Sequence, residues 1–384
     1  MLPFLVITIA IFGLVNFYIG RRGAQALAGY PAARTVFLIL FIALALAYPL
    51  ARIFRAFAEG LPSSWLLRVG SFHMVVMLCG FFAVLLIDLV RLANRLVPFL
   101  PRSLVSPSGR TGLVLFLAVV GATALTIVAG AWNAARPRTV NLDLHLARKA
   151  GTVDHLTAVL ASDIHLGTLI GPSRLEKGIE RINALAPDVV FLPGDIVDET
   201  ITAKIEAQLS AVMKKIRAPL GLFAVPGNHE FYSGLEQSLA CLRACGITVL
   251  EDRAVRVADA FTLVGRRDPS SLTPKEKRVS IGDILARQGF DDSLPIILLD
   301  HQPAHLEEAE NAGVALQLSG HTHAGQLFPL DIVNRMIWEL NWGYLRKGQT
   351  QYYVTSGVGT WGPPVRTGSR PEIVRIMISF DRMP

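Results

Sequence analysis

Cysteine is scarce in this chain, charge is thin, and lysine is missing from its first third. Three cysteines in 384 residues cannot build a disulfide framework. Cys79 lies in an apolar run. Cys241 and Cys245 stand four apart on an expected helix, where two small core side chains explain them better than a metal or redox pair. Only 17% of the residues are charged against 52% apolar, and the mean hydropathy is +0.44. Those values exclude a disordered chain and argue against an ordinary soluble domain. Internal repeats and low-complexity tracts are lacking too. Residues 1–135 hold ten Arg, no Lys and two acids, Glu59 and Asp88, whereas the remainder holds 27 Lys+Arg against 28 Asp+Glu. The overall charge of +7 therefore belongs to the hydrophobic third, and anionic lipid rather than nucleic acid is the expected polyanion.

Four long runs carry no charge or almost none: 1–20, 35–51, 69–87 and 111–135. Each approaches the roughly 20 residues that cross the hydrocarbon core as a helix. The ten arginines fall in the gaps, where a charge reaches water. The expectation is a transmembrane region over 1–135, a linker over 136–152 and a second domain over 153–384. A cleaved signal peptide is disfavoured, because no basic residue precedes the first run and Arg21 and Arg22 follow it. Counting basic residues at the ends of the spans gives seven on either side, so orientation stays open, with the cytoplasm as the working side for the C-terminal domain. Asp88, one turn from Arg91, reads as a solvated pair, and His73 reads as structural.

Beyond about residue 150, short apolar strands alternate with amphipathic helices, the pattern of an α/β domain. Strands are expected at 157–161, 188–192, 220–225, 295–299 and 314–318. Ser173 with Glu176 and Ser233 with Glu236 have the spacing of capping boxes. Each strand is followed by polar residues: Asp163-Ile164-His165, Gly194-Asp195 with Asp198, Gly227-Asn228-His229-Glu230, Asp300-His301, and Gly320-His321-Thr322-His323. Five of the nine histidines thus fall on the rim formed by strand ends, where ligand sites gather in such sheets. One such group alone is an ordinary turn; five in order point to a metal site.

The order D-x-H, G-D-x-x-D, G-N-H-E, H and G-H-x-H resembles the calcineurin-like metallophosphoesterase superfamily, over about residues 155–380. LSGHTHAGQLFPL (318–330), YYVTSGVGTWGPPVR (352–366) and PEIV (371–374) are similar to its bacterial membrane-associated branch. Some members of that branch act on lipid-linked phosphates, including UDP-2,3-diacylglucosamine pyrophosphatases. Arg266-Arg267-Asp268 departs from the less basic strand end of that branch. The resemblance implies an αββα four-layer sandwich behind the four-helix transmembrane region, and two divalent ions. Asp163, His165 and His323 would hold one, Asn228, His301 and His321 the other, with Asp195 bridging. His305 is the rival of His301, but it lies four residues further on, on an expected helix. His229 corresponds to the family's non-ligand histidine, which stabilises the transition state or protonates the leaving oxygen; Asp198 and Glu230 would orient it or the bridging region. Imidazoles, carboxylates and an amide without thiolate suit Mn²⁺, Fe or Zn²⁺ alike. Two ions about 3.5–4 Å apart can activate water and clamp a phosphoryl oxygen.

The function so implied is phosphoester or pyrophosphate hydrolysis at a membrane, with lipid-linked phosphates among the candidate substrates. A catalytically silent sensor or scaffold is the alternative of another class, and the retained His229 argues against it. A nuclease is disfavoured by the near-neutral second domain, so no nucleic-acid partner is expected. Ile332, Met336, Ile337 and Leu340 recur at helical spacing near Trp338, Trp342 and Tyr344. They fit either a core helix or an amphipathic lip at the bilayer interface.

Overall fold

A computed structural model of the chain describes residues 2–57, 61–149, 153–273, 275–290 and 293–381. Met1, Glu59, residues 150–152 of the expected linker and the last three residues lie outside that set. The chain forms two compact units, Met1–Gly130 and Ala131–Pro384.

Four long helices dominate the first unit: α1 Leu2–Ala26, α2 Pro31–Phe57, α3 Leu61–Leu96 and α5 Gly109–Ala134, with the single turn α4 Arg102–Val105 between the last two. All four long helices are long and apolar enough to cross a membrane. Their large apolar side chains, such as Leu14, Ile39, Leu86 and Leu125, point outward, as a lipid solvent permits. Polar groups turn inward. His73 is buried, its Nε2 2.8 Å from Asn16 Oδ1. Asp88 is not the solvated pair expected from sequence. Besides Arg91 Nη1 at 3.2 Å, it receives the Tyr18 hydroxyl and Arg22 Nη2, each at 2.6 Å. Three donors from two helices replace water around the carboxylate.

In chain order, the second unit contains β1 Arg138–Lys149, β2 His155–Leu160, α6 Pro172–Ala184, β3 Val189–Pro193, α7 Ala203–Met213, β4 Leu222–Val225, α8 Asn228–Ala244 and β5 Thr248–Val249. It continues with β6 Arg253–Val257, β7 Phe261–Gly265, α9 Ile281–Arg287, β8 Ile296–Leu299, α10 Leu306–Asn311 and β9 Leu316–Ser319. The last elements are α11 Leu330–Ile337, β10 Gly343–Lys347, β11 Thr350–Val354 and β12 Glu372–Asp381. Two six-stranded sheets result, ordered β1-β12-β2-β3-β4-β5 and β10-β11-β9-β8-β7-β6. Their facing sides share one core, in which Leu160, Phe191 and Val225 meet Phe261, Leu299 and Leu318. Helices α6, α7 and α8 cover the outer face of the first sheet through Ile179, Leu209 and Leu242. Helices α9 and α10 cover the second through Ile284 and Leu306. This is the four-layer αββα sandwich.

Three local expectations need correction. Most of the stretch 136–152, taken as a linker, is β1, paired in parallel with β12. Val140, Leu142, Leu144 and Leu146 alternate with polar residues, and Leu144 and Leu146 reach the central core, which is the period of a half-buried strand. Ser173 and Glu176 form no capping box: Gly171 is the N-cap of α6, with Pro172 in its first turn. Proline has no N–H to satisfy there and its φ is already helical, so the helix starts before Ser173. The cap of this stretch is formed not by Ser233 and Glu236 but by Gly227 and Glu230, although a helical segment does resume just after Ser233. Helix α8 begins at Asn228 and breaks internally at Gly234, where φ is +104°.

Candidate metal centre

Strands β2, β3 and β4 of the first sheet and β8 and β9 of the second all end at one rim. The loop after β2 carries Asp163 and His165, and the loop after β3 carries Asp195 and Asp198. Asn228 and His229 open α8, His301 follows β8, and His321 and His323 follow β9. The backbone there is unusual. Asp163, His165, Asp195, His321 and His323 all have left-handed φ, between 50° and 70°. Non-glycine residues seldom adopt that region, and such strain persists where surrounding structure enforces it, commonly at functional sites. Two glycines let the loops approach each other. A Cβ on Gly227 would lie 2.2 Å from Asp195 Oδ1, and one on Gly320 would lie 2.4 Å from Asp163 Oδ2. Glu230 fixes the loop after β3 from below. Its buried carboxylate accepts the backbone N–H groups of Asp195 (3.0 Å), Ile196 (2.7 Å), Val197 (3.0 Å) and Gly227 (2.7 Å).

Two groups of donor atoms face each other across Asp195. In one, Asp163, His165 and His323 lie together, with His165 Nε2 3.1 Å from His323 Nε2 and His323 Nε2 3.5 Å from Asp163 Oδ1. In the other, His301 Nε2 is 3.2 Å from Asp195 Oδ2, 3.2 Å from Asn228 Oδ1 and 3.3 Å from His321 Nδ1. Asn228 Oδ1 is also 2.9 Å from His321 Nδ1. Asp195 Oδ2 is 3.8 Å from His165 Nε2, so this carboxylate borders both groups. His305 lies apart from them, exposed at the N-cap of α10 and facing Glu307.

The arrangement fits a cation. The other nitrogen of His301 reaches the Pro193 carbonyl at 2.8 Å and serves as its donor, so in a neutral ring Nε2 presents a lone pair. That lone pair meets two oxygens and a third lone-pair candidate. Asp163 Oδ2 is buried with no hydrogen-bond partner. Facing acceptors and an orphaned carboxylate oxygen are costly unless a proton or a metal ion lies between them. The electrostatics divide the ligands. Burial raises the Asp163 pKa against the pull of His301. Burial also opposes ionisation of Asp195, yet His301, His165 and His229 hold its carboxyl well below the usual range. His301 is disfavoured as a cation by burial, but Asp195 and Asp163 lift its pKa well above the ordinary value. Burial and the neighbouring His301 push His321 down to about 3. Burial, His165 and Arg366 hold His323 well below its usual value. His321 and His323 thus stay neutral beside an ionised Asp195, while His301 and, against its burial, His165 are drawn toward the protonated form by the neighbouring carboxylates, protons that a metal ion would have to displace.

Asp198 Oδ1 stands between two histidines, 3.1 Å from His165 Nδ1 and 2.7 Å from His229 Nδ1. His229 lies against His165, with ring centroids 4.6 Å apart, and its backbone N–H donates to Asp195 Oδ1 at 2.9 Å. With Nδ1 engaged by Asp198, Nε2 is left for a ligand. The basic strand end after β7 is structural. Arg266 is buried, pairing with Glu308 at 2.5 Å and with Asp300 at 3.6 Å. Asp268 accepts from the Gln302 amide at 3.0 Å and caps the turn after it.

Sequence reasoning missed Arg366, the largest fully buried side chain among the described residues. Its Nη2 donates to the carbonyls of Ser356 and Gly359, each at 2.7 Å, and lies 3.1 Å from His323 Nδ1. Burial lowers its pKa to about 9. It ties the loop after β11 to the one after β9, and its only signal was its place at the end of the YYVTSGVGTWGPPVR stretch.

A sequence model described as calcineurin-like phosphoesterase matches residues 156–325. A Helicobacter pylori (strain J99) protein named as an uncharacterized metallophosphoesterase is 32% identical over 279 residues, covering 71% of this chain and 73% of that one. The chain belongs to the calcineurin-like metallophosphoesterase family. A zebrafish member, named transmembrane protein with metallophosphoesterase domain, is 34% identical over 267 residues; the match covers 67% of this chain and 61% of the zebrafish protein's own length. A Campylobacter jejuni metallophosphoesterase is 29% identical across 97% of both chains, a span that includes the four apolar helices. Those four helices, long and apolar enough to cross a membrane, support a membrane location for this metallophosphoesterase.

Proposed function

We propose that this metallophosphoesterase hydrolyses a phosphoester or pyrophosphate bond at a two-ion site, on a substrate carried by the membrane. The observation that carries the first half is the ring of acceptor atoms around His301 Nε2 and Asp195 Oδ2. Asp163, His165 and His323 would hold one ion and Asn228, His301 and His321 the other, with Asp195 shared. Such a pair would supply charge to the phosphoryl oxygens and lower the pKa of water. The chain's own residues do the rest. Glu230 fixes the loop of Asp195 before any ligand arrives, so the bridging carboxylate needs no reorganisation. Asp198 holds His229 Nδ1, keeping its Nε2 for the departing oxygen, and His229 acts as the proton donor or transition-state hydrogen-bond donor. The test is metal analysis of the detergent-purified protein together with hydrolysis of bis(p-nitrophenyl) phosphate. Fewer than two ions per chain with undiminished hydrolysis would overturn the reading.

The second half rests on α11. None of its residues is buried, and Ile332, Val333, Met336 and Ile337 are exposed together with Phe328, Trp342 and Trp361. Trp338, just after the helix, packs edge-on against His321 at 5.4 Å, which links this apolar surface to the ion site. A substrate with acyl chains would gain about 0.8 kcal/mol per methylene removed from water. A diacyl phospho-substrate should therefore show a much higher kcat/KM than its deacylated form, and Met336→Ser/Ile337→Ser should narrow the gap. Equal efficiency on both substrates in the unmodified protein would return the substrate to soluble phosphoesters.

A further inference from the structure

The second unit contains a cavity of about 540 Å³ that none of the seven candidate metal ligands lines. Its volume is within the roughly 300–1,000 Å³ of small-molecule sites. Three arginines, Arg138, Arg335 and Arg370, line it along with Asn133, Trp342 and Ser369, and no acidic residue does. Only part of that positive charge is neutralised. Arg138 Nη2 is 3.2 Å from Glu372 Oε2. Yet Glu372 also accepts from the Trp342 indole at 3.0 Å, Tyr353 at 3.1 Å, and Thr355 and the Ser356 N–H at 3.2 Å each. Arg138 Nε is buried and has no hydrogen-bond partner, while the Arg138 guanidinium lies 5.1 Å from the Trp342 ring centroid. Arg335 meets Asp331 only at 3.8 Å, and Arg370 has no ion-pair partner among the described residues. Guanidinium groups around a cavity that no carboxylate lines suit a phosphate, whose oxygens match their planar forks.

The surroundings identify the source of that phosphate. Asn133 lies in the last turn of α5, a helix of membrane-spanning length, and its amide donates to the Arg366 and Ser369 carbonyls at 3.0 and 2.8 Å. Arg335 projects from α11, beside the exposed Ile332, Val333, Met336 and Ile337. Trp342 adds an indole of the kind that prefers the head-group region. A free phosphate would need no such apolar rim, whereas a lipid head group arrives with its chains beside it.

We propose that this cavity binds the phosphate of an anionic membrane lipid, as a site separate from the metal centre. It has a direct route to that centre. Ala324, in its lining, follows His323, and the hydroxyl of Ser369, also in its lining, donates to the His323 carbonyl at 2.7 Å. An occupied cavity would steady the backbone that presents His323.

The experiment titrates the metal-loaded full-length protein, in a non-ionic detergent, with dioctanoyl phosphatidylglycerol, dioctanoyl phosphatidylcholine or inorganic phosphate, and follows Tm. Phosphatidylglycerol should raise Tm saturably, and the other two should not at matched concentration. Arg335→Gln/Arg370→Gln should keep its own Tm and its bis(p-nitrophenyl) phosphate hydrolysis but bind phosphatidylglycerol about tenfold more weakly. Asp195→Asn should respond to the lipid as the unmodified protein does, so the failure of the two-ion reading would leave this site standing. An equal rise with phosphatidylcholine, a full rise with inorganic phosphate alone, an undiminished response in the double variant, or a response lost in Asp195→Asn would each overturn the proposal.

Discussion

The two units spend the same apolar residues in opposite ways. In the first, Leu125 on α5 is 70% exposed and Leu14 on α1 is 67% exposed; in the second, Leu263 on β7 and Leu299 on β8 are fully buried. Hydropathy alone does not separate a core from a membrane surface. What separates them is the period and length of the run: strands mostly of four to six residues stack into a sandwich, while runs near twenty make helices whose outer faces need an apolar solvent. The second unit departs from its own rule around α11, where Met336 is 82% exposed, and near His229, where Phe231 and Tyr232 face outward. A surface that copies the lipid-facing pattern inside the second unit is what ties the two halves of the proposed function together.

The comparison also assigns roles to buried polar groups, and that is where it can be broken most sharply. In the first unit Asp88 forms a closed set with its three donors, although the buried His73 Nδ1 has no partner. In the second, buried polar groups leave acceptors facing one another. Asp195→Asn should therefore abolish binding of both ions and lower kcat by about a thousandfold or more, with circular dichroism unchanged; full metal occupancy in that variant would make the second cluster as closed as the first. His229→Asn should keep the ions and lower kcat by about 10²–10⁴-fold, read from metal analysis and steady-state kinetics on one preparation. Leu263→Ala should cost about 2–5 kcal/mol in the unfolding of the second unit. Leu125→Ala, a larger change by exposed area, should cost about 0.5 kcal/mol or less in lipid bicelles. Similar losses for both would collapse the contrast between core and lipid face. Cys241→Ser and Cys245→Ser should have a small effect, about 1 kcal/mol each for a hydroxyl placed in a packed site, with metal content unchanged. Loss of an ion in either would reveal a missed ligand.

Much of the site was legible because each polar motif directly follows a short apolar strand, and the strand ends of parallel ladders share one rim. Asp163, His165, Asp195, Asn228, His301, His321 and His323 could be grouped before any coordinates. What escaped lacked a local signature. Arg366 is held by carbonyls, and backbone acceptors leave no trace in residue type. The partners of Asp88 come from 70 positions away at Tyr18, beyond any helical period. Strand β1 alternates legibly, but directly after a membrane helix its polar half reads as a linker. Helix α11 could be seen as amphipathic; which way its apolar face turned could not.

Consider, last, the place of β12 between β1 and β2. Arg138 and Glu372, paired in that ladder, are 234 residues apart. At about 5–20 residues per second, a ribosome needs roughly 10–45 s to make the chain between them. During that interval the four apolar helices have already emerged, yet β1 still has an open edge. The order of synthesis thus leaves the membrane part complete and the sandwich unclosed. Until β12 arrives, the first strand of the sandwich is an unpaired template within reach of any neighbouring chain. Charged residues along it, Arg138 and Asp143 among them, are the kind that keep such an edge from pairing wrongly.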